Sequence, residues 1–212
     1  KEILKTTREL FKDSTSKSSN KATNKFKTTN LPETYFVKMS ALHTIRSYSS
    51  TEKKLMLAME FKLGNCGEMA QIAFALCQQQ GMLAELIGYD DPVNQRFDHV
   101  ACLVSIDGED FVIDPWANTF CKLDQHIEAL VHKAKQWEGK DKFILISSSY
   151  SCNEVSSFHK DSNSLKLKAA TESDIRNLKI SEHSKPREIV NFSRSDYFRK
   201  LTTTHDTPNA TS

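Results

Sequence analysis

No run of eighteen or more apolar residues occurs in the chain, so nothing in it reads as a membrane-spanning helix, and no stretch reads as a cleavable secretory signal. Blocks of like charge are missing too. Lys and Arg total 29 against 27 for Asp and Glu, a net +2 spread along the sequence, so a phosphate-binding groove has no support and nucleic acid is not an expected partner. The five cysteines are odd in number and contain no CxxC or knuckle-like spacing. Neither a disulfide scaffold nor a zinc site is expected, and no metal or cofactor is implied. A chain of free thiols suits a reducing compartment, which makes a cytoplasmic location the expectation. Internal repeats are absent.

What is present fits one catalytic domain with tails: 212 residues are enough for a well-buried core, and the modest apolar share of 38% is concentrated away from the two ends. Residues 1–30, rich in Lys, Ser, Thr and Asn, read as a polar arm, a short helix or extended piece followed by a linker. The core is expected over 31–150, a helical extension over 151–201 and a frayed tail over 202–212.

Tyr35, Phe36, Met39, Leu42 and Ile45 recur at helical spacing, as do Leu55, Met56, Met59 and Phe61, so two helices are expected before Gly64. Next comes GNCGEMAQIAFALCQQQG, almost without a polar face until Gln78, which is the signature of a buried helix. Asn65 with Glu68 three residues later marks its start and Gly81 its stop. Leu83 to Tyr89, His99 to Ile106 and Glu109 to Asp114 are strand-like, the last two joined through the hairpin signal Asp107-Gly108. An amphipathic helix is expected from Leu123 to Trp137 and a strand over Lys142 to Ile146. Residues 147–170 read as loop, with helices over Glu172 to Ile180 and Arg187 to Leu201.

The chemistry concentrates at three residues. A thiol attacks a carbonyl as its thiolate, and the unpaired N–H groups at a helix start favour that anion. Cys66 occupies such a position, with Gly64 and Gly67 leaving room for substrate beside the sulfur. A lone cysteine is most often just a small buried residue. A nucleophilic one needs an imidazole to move its proton and an acceptor to orient that imidazole. A two-residue turn at Asp107-Gly108 pairs Ile106 with Glu109 and sets Asp114 diagonally across from His99 on one face, a separation long side chains bridge. His43, His126, His132, His159, His183 and His205 fall on expected helices or polar loops with no such acidic partner. Asp98, the rival orienter, points to the opposite face from its neighbour His99, and so does Cys102. Cys77, Cys121 and Cys152 have no special setting.

The string GNCGEMAQIAFALCQQQGMLAELIGYDD followed by FDHVACLVSIDGEDFVIDPWAN resembles the core of the transglutaminase-like, papain-related cysteine enzymes: Cys opening a helix, then a His-headed strand, then a strand ending in Asp-Pro. It covers roughly residues 64–118. The resemblance implies an α+β papain-like fold, a central buried helix packed on an antiparallel sheet with flanking helices, and a thioester acyl-enzyme. On it Cys66 carries over as nucleophile, His99 as base and Asp114 as orienter. Family members commonly place a Trp or Gln upstream of the nucleophile to complete the oxyanion hole. Here Trp116 and Trp137 lie downstream and no Gln precedes Cys66. The backbone N–H of Cys66 supplies one donor, and Asn65 and Tyr48 are the candidates for the second. Trp116 reads equally as a shield over the His–Asp bond or as core. No acidic cluster resembles the calcium sites of animal transglutaminases.

The expected activity is therefore acyl transfer from a protein glutamine side chain to an amine co-substrate (transglutamination) or to water (deamidation). A cysteine protease of the same fold cleaving peptide bonds is the nearest alternative, and a catalytically inactive protein-binding module is the alternative from another class. Bacterial secreted effectors often use this core, and the Lys/Ser/Asn-rich flanks would suit delivery into a host cytosol.

Overall fold

A computed structural model describes residues 1–11, 21–23, 33–92, 97–147 and 167–181. In chain order these form α1 (Glu2–Glu9), β1 (Lys21–Thr23), α2 (Glu33–Ser47), α3 (Thr51–Glu60), α4 (Cys66–Gln79), β2 (Ala84–Asp90), β3 (Asp98–Ile106), β4 (Glu109–Asp114) and β5 (Thr119–Lys122). A 3-10 turn over Leu123–Gln125 leads into α5 (His126–Glu138), followed by β6 (Lys142–Ser147), β7 (Leu167–Ala169), α6 (Glu172–Arg176) and β8 (Lys179–Ile180). The fold is mixed α+β. Five antiparallel strands run in the order β5-β4-β3-β2-β8, and a second antiparallel sheet runs β1-β6-β7.

The β3–β4 hairpin follows from its turn. Asp107 and Gly108 take φ of 52° and 80°, the positive values a two-residue turn needs to match strand twist, and Ile106 pairs with Glu109 as expected. Side chains then alternate with period two, and Ala101, Val104, Val112 and Ile113 are buried. α4 packs on β3 and β2 through Met69, Ala70, Ile72, Ala73 and Cys77, each nearly without exposure, which is what its all-round apolar sequence requires. Gly81, at φ +71°, ends that helix, and the N–H of Met82 closes the last turn on the Cys77 carbonyl at 3.0 Å.

Four expectations are corrected. The short helix offered for the start of the chain is α1, but it is no free arm: it packs on α4, and Ile3 and Phe11 belong to the core. Gly64 does not open space for substrate, because a Cβ there would meet the Phe11 ring and Glu68 Cβ, both at 3.1 Å. Its lack of a side chain serves helix packing instead. The helix expected over Glu172 to Ile180 stops at Arg176 and is followed by the two-residue edge strand β8; Thr171 caps its start on Asp174 at 3.2 Å. β5 and β7 are strands where none was expected, since runs of three or four residues give too little alternation to read. The helix expected over Arg187 to Leu201, the tail 202–212 and most of the 147–170 loop lie outside the described residues.

The start of α4 is tied to α2. Glu68, at the third helical position, accepts the backbone N–H of Asn65 at 2.9 Å and takes the Arg46 guanidinium on both oxygens, at 2.7 and 2.9 Å. Burial alone would raise the Glu68 carboxyl, but Arg46 and the backbone N–H groups outweigh it and hold its pKa below the ordinary 4.5. A depressed carboxylate pKa contributes stability above the ordinary value that is lost as pH falls through the folded one. Glu68→Gln should therefore lower unfolding free energy by about 1–3 kcal/mol at neutral pH, limited by the half-exposure of Arg46, and urea titrations should show that deficit shrinking below pH 4.5.

Candidate functional site

Three elements bring the expected residues together. β3 carries His99 at its second position, β4 ends with Asp114, and α4 begins with Cys66. The hairpin register carries His99 and Asp114 to the same face, and His99 Nε2 lies 2.7 Å from Asp114 Oδ2 with both side chains fully buried. An ionised carboxylate only accepts, so the ring donates its Nε2–H. Asp114 is also the turn residue its place before Pro115 suggests, since its Oδ1 accepts the N–H of Ala117 at 2.9 Å. One side chain serves both ends.

The second ring nitrogen, Nδ1 of His99, is buried and has no hydrogen-bond partner of good geometry. Cys66, half-buried at the helix start, interacts with this ring through hydrogen bonding and charge. With Nε2 committed to Asp114, Nδ1 is the nitrogen left for the sulfur. Burial pulls the His99 pKa down. The Asp114 charge and hydrogen bond, with Cys66, outweigh that and raise it to about 10. Burial correspondingly pushes Asp114 up, but the two imidazoles beside it hold it far below the ordinary carboxylate range.

Two imidazoles, not one, reach Asp114. His126, at the first residue of α5, lies with Nε2 3.2 Å from Asp114 Oδ2 and Nδ1 2.9 Å from the Tyr89 hydroxyl. The expectation that His126 has no acidic partner is thus corrected. Nothing in the sequence pointed there, because β5, which turns the chain back toward the site, was itself unexpected. Trp116 is in the core, 2% exposed, and its ring lies 5.1 Å from that of His99.

The remaining candidates fall as follows. Asn65 precedes Cys66 at the helix cap, half-buried, with its N–H given to Glu68. Tyr48 is exposed, with the Lys53 ammonium 4.3 Å over its ring, a surface setting. Asp98 is exposed at the strand end, and Cys77 and Cys102 meet in the core with sulfurs 4.0 Å apart. His43 is half-buried on α2 and His132 exposed on α5; Cys152, His159, His183 and His205 lie outside the described residues. A Cβ on Gly67 would meet nothing within 4 Å, so the open space expected beside the sulfur is on the Gly67 side. Arg46 is an addition: its charge acts on Cys66 as well as on Glu68. No helix among the described residues is long and apolar enough to cross a membrane.

Fold and site together define a mixed α+β chain with a cysteine at a buried helix start facing a buried His–Asp pair. Compared with protein-family models, with curated proteins and with solved structures, the chain finds no match.

The two pKa shifts set a pH window. His99, raised from 6.5 to about 10, contributes stability fully present below 6.5 and lost as pH climbs to about 10. Asp114, depressed from 3.8, contributes stability present above 3.8 and lost on acidification. Asp114→Asn should thus be most destabilising between pH 3.8 and 6.5, with the gap to the unsubstituted protein closing on either side in denaturant titrations.

Proposed function

We propose that the chain is a cysteine acyl-transfer enzyme of transglutaminase-like, papain-related type, in which Cys66, His99 and Asp114 act as nucleophile, base and orienter. The observation that carries this reading is the division of labour on the His99 ring: Nε2 bonded to a buried carboxylate, Nδ1 buried without a geometric partner, and Cys66 interacting with the same ring. The chain order Cys, His, Asp agrees with the resemblance in the sequence.

In this mechanism the Cys66 thiolate attacks an amide carbonyl, and the C–S bond forms as the carbonyl π pair moves to oxygen. The first backbone N–H groups of a helix have no acceptor within it, so those of Cys66 and Gly67 are the donors available to the oxyanion. His99 Nδ1–H then protonates the departing nitrogen as the C–N bond breaks, leaving a thioester. Water or an amine, deprotonated by His99, attacks the thioester and restores the thiolate. A protein glutamine side chain as donor gives deamidation or transglutamination; a peptide bond gives proteolysis by the same route.

One observation favours a second reading. The donor atoms of His99, Asp114 and His126 all lie within 4.8 Å of one another, a two-imidazole, one-carboxylate set that suits a transition metal. Against it, both Nε2 atoms address one carboxylate oxygen at hydrogen-bond distances, 2.7 and 3.2 Å. The two readings part on chelation: alkylation of Cys66 should be unchanged after dialysis against a strong chelator, and a loss restored by zinc would favour the metal.

An iodoacetamide-type probe should label Cys66 ahead of Cys77, Cys102, Cys121 and Cys152 by peptide mapping, whereas equal labelling removes the nucleophile. Fluorescent-amine incorporation into lysate proteins should vanish in Cys66→Ala and fall at least ~100-fold in His99→Ala. New protein N-termini in place of amine incorporation would mark a protease. A Cys66→Ala protein that keeps its full biological effect would mark a binding module.

A further inference from the structure

We propose that His126 and Tyr89 are positioning residues of this centre, holding the Asp114 carboxylate in the orientation that presents His99 Nδ1 to Cys66. The inference rests on the cysteine reading above. It adds two residues that the Cys–His–Asp pattern does not contain.

Every bond around Asp114 has one possible direction. Oδ1 accepts from the Ala117 backbone, and Oδ2 is shared by two imidazole Nε2 atoms at 2.7 and 3.2 Å. Because the carboxylate only accepts, His126 must carry its hydrogen on Nε2. In a neutral ring that leaves a lone pair on Nδ1, where the Tyr89 hydroxyl sits at 2.9 Å. Tyr89 is 2% exposed, and burial together with the Asp114 charge pushes its phenol well above the ordinary range, so it keeps the proton it donates. The polarity runs from Tyr89 O–H to His126 Nδ1, then from His126 Nε2–H to Asp114. Asp114 selects the His126 tautomer, and Tyr89 satisfies the lone pair that this tautomer leaves on Nδ1.

The scaffold holds these groups in place. Tyr89 is the direct cross-strand partner of His99 in the β2–β3 register, and His126 enters from α5, so the carboxylate on β4 is gripped from two other elements. The three rings form a packed triangle, with centroids 5.2 Å apart for Tyr89–His126, 5.9 Å for His99–His126 and 6.2 Å for Tyr89–His99. With only His99 on Oδ2, the carboxylate could turn about its side-chain bonds. With His126 on the same oxygen and Ala117 on the other, that turn would break two further hydrogen bonds.

The test compares the second-order rate of Cys66 alkylation by iodoacetamide in full-length variants, read by peptide mapping. His126→Leu should slow it about tenfold, the loss expected for removing one hydrogen bond to a charged group. His126→Gln, whose amide N–H can address the same carboxylate oxygen, should stay within about threefold of the unsubstituted rate. Equal rates for Leu and Gln at position 126, whether both slow or both normal, would overturn the proposal, since mere core filling does not discriminate an N–H at that point. If His126→Leu does not fold, Tyr89→Phe decides: with the Nδ1 lone pair unpaired, Cys66 alkylation should slow about threefold while ring 15N NMR keeps His126 on its Nε2–H tautomer, and an unchanged rate overturns the proposal. His99→Ala is the control for the underlying reading. Should it alkylate at the normal rate, the base assignment itself fails; should only the position-126 comparison fail, the triad stands and the positioning role falls.

Discussion

The arrangement depends on a carboxylate with no contact with water. Asp114 is 0% exposed, and an isolated charge in that position would be driven to neutrality. It stays ionised because its oxygens are supplied with donors from three directions: a backbone N–H from its own turn and two imidazoles from β3 and α5. That requirement explains the local sequence. The Asp-Pro turn fixes the backbone, the Trp116 ring lies 5.1 Å from that of His99, and the Arg8 guanidinium of α1 donates to the Pro115 carbonyl at 2.7 Å, a further tie on the same turn.

A second constraint governs the cysteine. If its sulfur is to meet His99 Nδ1, as proposed, the first turn of α4 must be fixed relative to β3. Glu68 does this for the helix start by joining the cap to Arg46 of α2, while Phe11, two residues past α1, packs against Gly64. Segments far apart in sequence thus converge on one helical turn. Glu68, His99 and Asp114, all buried, each have charged or hydrogen-bonding neighbours that account for their shifted pKa values, a pattern common at functional sites.

The centre of this fold was legible in the sequence for a simple reason: its signals are local. The Asp107-Gly108 turn fixes a register, and a register fixes which residues share a face, so His99 and Asp114 could be matched across the hairpin from spacing alone. The all-apolar run after Cys66 likewise announced a buried helix. Contacts between distant segments could not be read in this way. Residues 1–11 look polar by composition, yet Ile3, Thr7 and Phe11 are buried and Leu4 and Leu10 pack against the core. His126 and Tyr89 meet across 37 residues, through a strand too short to announce itself, and no periodicity encodes that meeting.

Cys77 and Cys102 touch in the core, sulfur to sulfur at 4.0 Å, one on the helix that begins at Cys66 and the other on the strand that carries His99. Cys77 stands eleven residues along α4 from Cys66, about 16 Å at the rise of a helix. The helix therefore acts as a lever with its fulcrum in the apolar core: a side chain of different girth at position 77 would tilt it, and the far end of the tilt is the sulfur. The spacing of Cys66 and His99 is thus tied to the thickness of the hydrophobic interior between helix and sheet.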